Sequence, residues 1–332
     1  MRILTLLLLA LPALAVVDGV VVNQTSGKPQ PGAQVTLFRV GNGMESVGTT
    51  KTDASGKFSF DHTPDGPRLL QVVHEGVTYN SMIPPGQPSS GMTLNVYSAT
   101  RDASAAEVSQ HMILLEPTES ELIVNESFFV VNQTRSTYDD PANGTLRFFL
   151  PAAANGDVRV TISEPQAIIP LQRPAEKTNQ RNVYKVNFPI KPGETRFDLA
   201  YQLPAASTYA SRILHKSGPT RIVVPRGVSL TGESIRNLGS EPRTQATVYD
   251  VIKPDFEVGI QGTGTLRSSV PDEEEEESGP GIQQIQPRIH ERMTWILGLG
   301  LAILGLGFIL MYRRSPAQTA APLSRERQAS RK

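Results

Sequence analysis

The 332-residue chain contains no cysteine. That absence excludes disulfide staples, a thiol nucleophile and a thiolate metal site, so its stability must come from cores large enough to stand alone. Net charge is also missing, because 32 Lys and Arg balance 32 Asp and Glu. No general nucleic-acid surface is implied, and nucleic acid is not expected among the partners. The balance hides an asymmetry between an acidic run at Asp272–Glu277 and a basic C-terminal tail.

Catalytic signatures are absent as well. A catalyst needs a nucleophile or a metal with a base at suitable spacing. The five histidines (His62, His74, His111, His215 and His290) stand singly along the chain. His74-Glu75 has no second His four residues on, so a zincin site is unsupported. Gly227-Val-Ser229-Leu-Thr231 fails the nucleophile elbow at its last position. Gly27-Lys28 and Gly56-Lys57 are followed by Pro and Phe, so neither completes a phosphate loop. Asp139–Gly144 lacks the alternating ligands and terminal Glu of a calcium loop. The expectation is therefore no catalytic, cofactor-binding or metal-ligating residue and no cofactor. Acid pairs distant in sequence could still meet in the fold.

What is present starts with the two ends. Residues 1–15 read as a secretory signal: Arg2, an apolar run from Ile3 to Leu11, and the small residues Ala13 and Ala15 before a cleavage point. Pro12 and the small-x-small pattern favour removal over an uncleaved anchor. Residues 293–312 carry no charge, and about 20 helical residues cross a ~30 Å hydrocarbon core. Trp295 and Tyr312 sit at the ends of this stretch, where amphipathic rings favour the interface. The tail, residues 313–332, has six basic residues and one acid, or +5. Positive-inside bias then places the C-terminus in the cytoplasm. These features predict a single-pass type I protein of a cell membrane, with its N-terminal ectodomain outside the cytoplasm. A helical anchor also argues against the bacterial outer membrane, whose spanning proteins are barrels.

Between the ends, 27 Gly and 26 Pro favour short strands and turns over helices. In residues 16–100, β-rich runs at Gly19–Asn23, Ala33–Val40, Val47–Thr52, Lys57–Phe60, Leu69–His74 and Thr93–Tyr97 alternate with turn clusters. That spacing predicts a sandwich. Asp53-Ala-Ser-Gly56 predicts a tight hairpin, with an Asp able to close an Asx-turn and a Gly free to take positive φ. Three stretches carry a resemblance: Gly19-x-Val21; Gly27-Lys28-Pro29-x-Pro31-Gly32-Ala33-x-Val35-x-Leu37; and Thr52-Asp53-x-x-Gly56-x-Phe58-x-Phe60. Together they resemble the carboxypeptidase regulatory-like domain, a transthyretin-like module of bacterial envelope proteins. The resemblance covers the N-terminal module only and implies a non-catalytic β-sandwich. Gly66-Pro67-Arg68 stands where that family usually has G-x-Y.

Residues 105–264 form a second β-rich region. Period-2 alternation is clean at Val158–Ile162, Tyr184–Phe188 and Phe197–Leu203, as in antiparallel sheets with one wet face. Pro192-Gly193 predicts a hairpin between the last two. Further strands are expected at Arg221–Val224, Thr244–Val251 and Phe256–Ile260, and periodicity allows one sandwich or two. Residues 265–292, with few apolar side chains and one block of like charge, read as a solvated stalk.

The pentapeptide VVNQT occurs at Val21–Thr25 and again at Val130–Thr134. Both copies are N-x-T sequons, as are Asn125-Glu-Ser127 in pattern and Asn143-Gly-Thr145. Strand termination explains both copies better than glycosylation does. The expected whole is all-β: a tandem β-sandwich ectodomain with one C-terminal transmembrane helix, binding or scaffolding an envelope protein, peptide or glycan. The alternatives are an envelope hydrolase with a dispersed carboxylate pair, or a single-pass sensor or accessory subunit using the small-residue stripe Gly298, Ala302 and Gly305.

Overall fold

The computed structural model describes residues 17–41, 43–61, 66–165 and 170–266. The expected signal peptide, acidic run, membrane span and tail lie outside the described residues, as do His62 and His290. Among the described residues the architecture is all-β, broken only by two short 3-10 turns, and no helix is long and apolar enough to cross a membrane. Two hydrophobic cores form, one from Val17 to Val96 and one from Ala105 to Ile260.

The first core lies between two four-stranded sheets. Its strands are β1 (Val17–Asn23), β2 (Lys28–Pro29), β3 (Gln34–Val40), β4 (Met44–Lys51), β5 (Lys57–Phe60), β6 (Arg68–His74), β7 (Val77–Ile83) and β8 (Met92–Val96). One sheet centres on β1, which pairs antiparallel with β2 and β5 and parallel with β8. The other runs β4-β3-β6-β7, antiparallel throughout. Val21, Val35, Leu37, Leu70 and Val96 are sealed between them.

The Asp53 turn forms with the expected chemistry. Its Oδ1 accepts the Ser55 and Lys57 backbone N–H groups, each at 2.8 Å, and Gly56 takes φ +75°. It is not a hairpin, however. β4 pairs with β3 and β5 with β1, so the turn carries the chain from one sheet to the other. Strand β7 escaped the sequence reading because its alternation breaks: polar Ser81 falls in phase with buried Val77, Tyr79 and Ile83, and apolar Met82 is exposed on the other face.

After β9 (Ala99–Thr100), the second core is built on one eight-stranded sheet. Its strands, in chain order, are β10 (Glu107–Pro117), β11 (Glu121–Asn132), β12 (Thr137–Tyr138), β13 (Leu146–Phe149), β14 (Arg159–Ser163), β15 (Leu171–Arg173), β16 (Glu176–Lys177) and β17 (Val183–Val186). They continue with β18 (Gly193–Pro204), β19 (Thr208–Arg212), β20 (Thr220–Val224), β21 (Ser229–Thr231), β22 (Ile235–Ser240), β23 (Thr247–Val251) and β24 (Asp255–Gln261). The large sheet runs β15-β14-β18-β11-β10-β20-β23-β22. Two three-stranded sheets, β13-β17-β16 and β19-β24-β21, contribute Phe148, Val186, Tyr209 and Val258 to the same core. One core therefore spans the region that periodicity left open between one sandwich and two.

The expected hairpin at Pro192-Gly193 does not form. β17 pairs with β13 and β16, whereas β18 pairs with β11 and β14. The bridge between Tyr138 and Ile190 holds the chain in one layer until Gly193, at φ +114°, sends it into the other. Turn-forming residues mark where a chain bends, but not which strand it meets next.

Both VVNQT copies end strands, β1 and β11, through the same device. Asn23 Oδ1 accepts the Thr25 N–H at 3.0 Å, and Asn132 Oδ1 accepts the Thr134 N–H at 2.9 Å. These are Asx-turns, in which the side chain takes over from the ladder. Both asparagines are buried, with their amide N–H groups engaged: Asn23 Nδ2 on Gln30 and Ser98, Asn132 Nδ2 on the carbonyls of Ser136 and Ile190. The two turns also meet at the junction between the cores. The Thr25 hydroxyl donates to the Arg135 carbonyl and accepts from the Ser98 N–H. Beside them β9 and β12 pair in parallel.

Candidate functional site

Alternation along β11 buries Leu122, Val124, Glu126, Phe128, Val130 and Asn132 on one face. Glu126 thus occupies a position that five neighbours in the same phase fill with four apolar side chains and one amide. It is 2 % exposed. An isolated carboxylate there would be prohibitively costly, and buried charges persist only when paired and hydrogen-bonded. The structure supplies three partners from three strands. His111 Nε2 on β10 lies 2.9 Å from Oε2. On the other oxygen, the hydroxyls of Tyr201 (β18) and Tyr209 (β19) donate to Oε1 at 2.5 Å and 3.4 Å. Tyr201 and Tyr209 are themselves 3.0 Å apart.

A bulge in β10 makes this possible. The register against β11 slips between Val108 and Gln110. Val108 faces the core before the slip, and His111, Ile113 and Leu115 face it afterwards. Without the extra residue, His111 would point outward, since a strand's side chains alternate with period 2. The turned imidazole stacks on its cross-strand neighbour Phe128, with centroids 3.9 Å apart and planes 15° from parallel.

The network continues on the far side of His111. Its Nδ1 lies 3.4 Å from Nε2 of His215 and 3.3 Å from the hydroxyl of Thr220, its register partner on β20. His215 Nε2 lies 3.1 Å from the same hydroxyl, and its Nδ1 lies 2.6 Å from the Ser217 carbonyl. The loop carrying His215 lies tightly on β10: at Gly218, φ +78°, an added Cβ would sit 2.4 Å from the Val108 carbonyl oxygen.

Burial drives the protonation pattern. Desolvation, then the Glu126 charge, push the Tyr201 and Tyr209 hydroxyls well above their usual range, so both remain O–H donors. Burial, and then the adjacent His111, hold His215 below its ordinary value of 6.5, favouring neutral imidazole near neutrality.

The two histidines that stand 104 residues apart in sequence are therefore neighbours. Among the described residues no second carboxylate hydrogen-bonds to either histidine, and the network runs from buried Glu126 out to the half-buried His215. Among the described residues, no three His, Cys, Asp or Glu side chains surround a metal position. His74 stands apart, beside Asn23 in the first module. Asp140 holds the 139–144 loop by accepting from Asn143, as in an ordinary polar turn. An open groove of about 620 Å³ lies in the first module among Asp18, Thr50, Lys57, Phe58 and Met92, and shares no residue with the network. Two signals in the sequence pointed to the buried centre: Glu126 in phase with Val124 and Phe128, and His111 in phase with Ile113 and Leu115.

Residues 16–97 match the family model of the carboxypeptidase regulatory-like domain. The N-terminal module belongs to that family. The strands of the regulatory-like module carry the three resembling stretches on β1, on β2 and β3, and on the turn into β5. No curated protein matches the chain. Similar solved structures include an M1 zinc metallopeptidase from Deinococcus radiodurans (TM-score 0.27), a mutant of that enzyme (0.28) and the mutant bound to a Tyr-Ser-Ala substrate (0.27). Each is 16% identical, and each match covers 47% of this chain and 42% of the peptidase. The matched part thus spans less than half of those proteins, and a likeness of that size decides nothing about this chain's chemistry.

Proposed function

We propose that the chain is a non-catalytic, membrane-anchored protein of a bacterial cell envelope whose β-sandwich ectodomain binds or scaffolds another envelope protein, peptide or glycan. The observation that carries this reading is the free outer edge of the eight-stranded sheet. Among the described residues β22 pairs with β23 alone, and five of its six residues are exposed. Leu238 on this strand is 49% exposed, and Ile252, just past β23, is 53% exposed. An unpaired edge offers backbone donors and acceptors to an added strand, and exposed apolar side chains supply local affinity. Among the described residues, the ionisable cluster at Glu126 and His111 is buried in the core, which supports binding over turnover. A stalk of about 25 extended residues at ~3.3 Å each would give the sandwiches a reach of up to roughly 80 Å from the bilayer.

The test is cross-linking of the full chain in its native membrane, with partners identified, for wild type and Leu238→Lys. A lysine on the edge should block strand addition without disturbing the core. The reading expects a specific envelope partner in wild type, its loss in the variant, and equal melting temperatures. Recovery of no specific partner would overturn it. So would saturable hydrolysis of peptides, glycans or esters by the purified chain, abolished by one Asp or Glu substitution.

A further inference from the structure

Three donor atoms converge beside His111. His111 Nδ1, His215 Nε2 and Thr220 Oγ1 form a triangle with edges of 3.1, 3.3 and 3.4 Å. The remote nitrogen of each ring is already committed. Glu126, as a carboxylate, can only accept, so His111 Nε2 carries a proton toward it. The Ser217 carbonyl can only accept, so His215 Nδ1 carries a proton toward it. The two inner ring nitrogens and the hydroxyl oxygen therefore face one another, while each outer nitrogen is held by its own acceptor.

We propose that this triangle is a binding site for a divalent transition-metal ion of the zinc class, held by His111 Nδ1, His215 Nε2 and the Thr220 hydroxyl. A tetrahedral ion with bonds of about 2.0–2.1 Å to nitrogen separates its ligands by about 3.3–3.4 Å, which is the size of this triangle. The surroundings match what such sites require. Ligating histidines characteristically donate their other N–H to a carboxylate or a backbone carbonyl, which fixes the tautomer and raises ligand basicity. Here Glu126 does this for His111 and Ser217 for His215. Glu126 also places a negative charge behind the site, and its other oxygen is anchored by Tyr201 and Tyr209. His111 and Thr220 are buried, but His215 is only half-buried and lies on a loop, which leaves an entry side. Thr220 is a weak ligand, so water would complete the coordination. The ion would fasten the His215 loop to β10 and β20.

The test uses the full-length chain, stripped with chelator and titrated with Zn²⁺ and then with Co²⁺. The expected result is saturable uptake of one ion per chain, a melting temperature that rises with free Zn²⁺, and a Co²⁺ visible absorption spectrum of tetrahedral type. His215→Ala, at a half-buried loop position, should abolish all three, and His74→Ala should abolish none. Glu126→Gln should weaken binding about 10- to 100-fold, as loss of a supporting hydrogen bond does. If Glu126→Gln does not fold, the His215→Ala comparison still decides. Absence of saturable uptake, or unchanged uptake in His215→Ala, would overturn the proposal and leave a hydrogen-bonded or protonated histidine pair in its place.

Discussion

The Tyr79 hydroxyl lies 2.8 Å from the Thr137 hydroxyl, joining the regulatory-like module to the second sandwich. Tyr79 donates to its own module's Tyr97 carbonyl at 3.0 Å, so the hydrogen it shares with Thr137 must come from Thr137. Thr137 is fully buried, and the Lys191 ammonium sits 5.1 Å from the Tyr79 ring centroid while bonded to Glu164. Tyr79→Phe orphans a buried hydroxyl and should cost about 1–3 kcal/mol. Thr137→Val leaves Tyr79 satisfied and should cost about 0.5–1.5 kcal/mol. The double variant should lose less than the sum of the two, because the orphaned group is gone. Chemical denaturation of the four proteins measures the coupling, and strict additivity would count against a direct bond.

Gly19 on β1 is a packing requirement. An added Cβ would sit 2.2 Å from the Met92 carbonyl oxygen, within the parallel pairing of β1 and β8. Gly19→Ala should destabilise the module by about 1–3 kcal/mol through overpacking. Gly43→Ala, with nothing within 4 Å, serves as the comparison. Equal melting temperatures for the two variants would show that β8 does not pair as described.

Asp53 ties part of the module's stability to pH. Backbone and side-chain hydrogen bonds from Lys57 and Ser55 hold its carboxyl below the ordinary 3.8. A folded value below the unfolded one means that the carboxylate stabilises the turn above 3.8. That contribution fades as pH falls through the lower folded value. Asp53→Asn imitates the protonated acid, so it should melt below wild type near neutrality and converge with it in acid. Thermal melts across that window provide the check; a gap that widens in acid would contradict the assignment.

The buried tyrosines should separate from the rest in alkali. Of the eight tyrosines, Tyr201 and Tyr209 are pushed furthest up, by desolvation and then by the Glu126 charge, while desolvation also raises Tyr79 and Tyr138. In an ultraviolet titration Tyr201 and Tyr209 should ionise only as the fold opens, well above the ordinary phenol range near pH 10. In a Tyr201→Phe, Tyr209→Phe variant the unfolding-linked step should shrink.

By itself, the sequence determined the kind of protein this is at the level of local chemistry. Missing cysteines, turn residues at short intervals and period-2 alternation required a β protein held by apolar cores, because each depends only on residues close along the chain. The regulatory-like motif of Gly19–Phe60 and the Asx-turns at Asn23, Asp53 and Asn132 are local in the same way. Only the tertiary structure decided which strands meet. The Asp53 and Pro192-Gly193 turns look alike as hairpins, but sheet pairing between distant strands made both into passages between layers. It also decided the buried centre. Glu126, His111, His215, Tyr201, Tyr209 and Thr220 come from five strands of one core and a loop. A carboxylate in a sandwich interior can be read as tolerable only once the donors that surround it are known. The bulge before His111 set the phase that brought them together, and a single extra residue in a ladder leaves no periodic mark in the sequence.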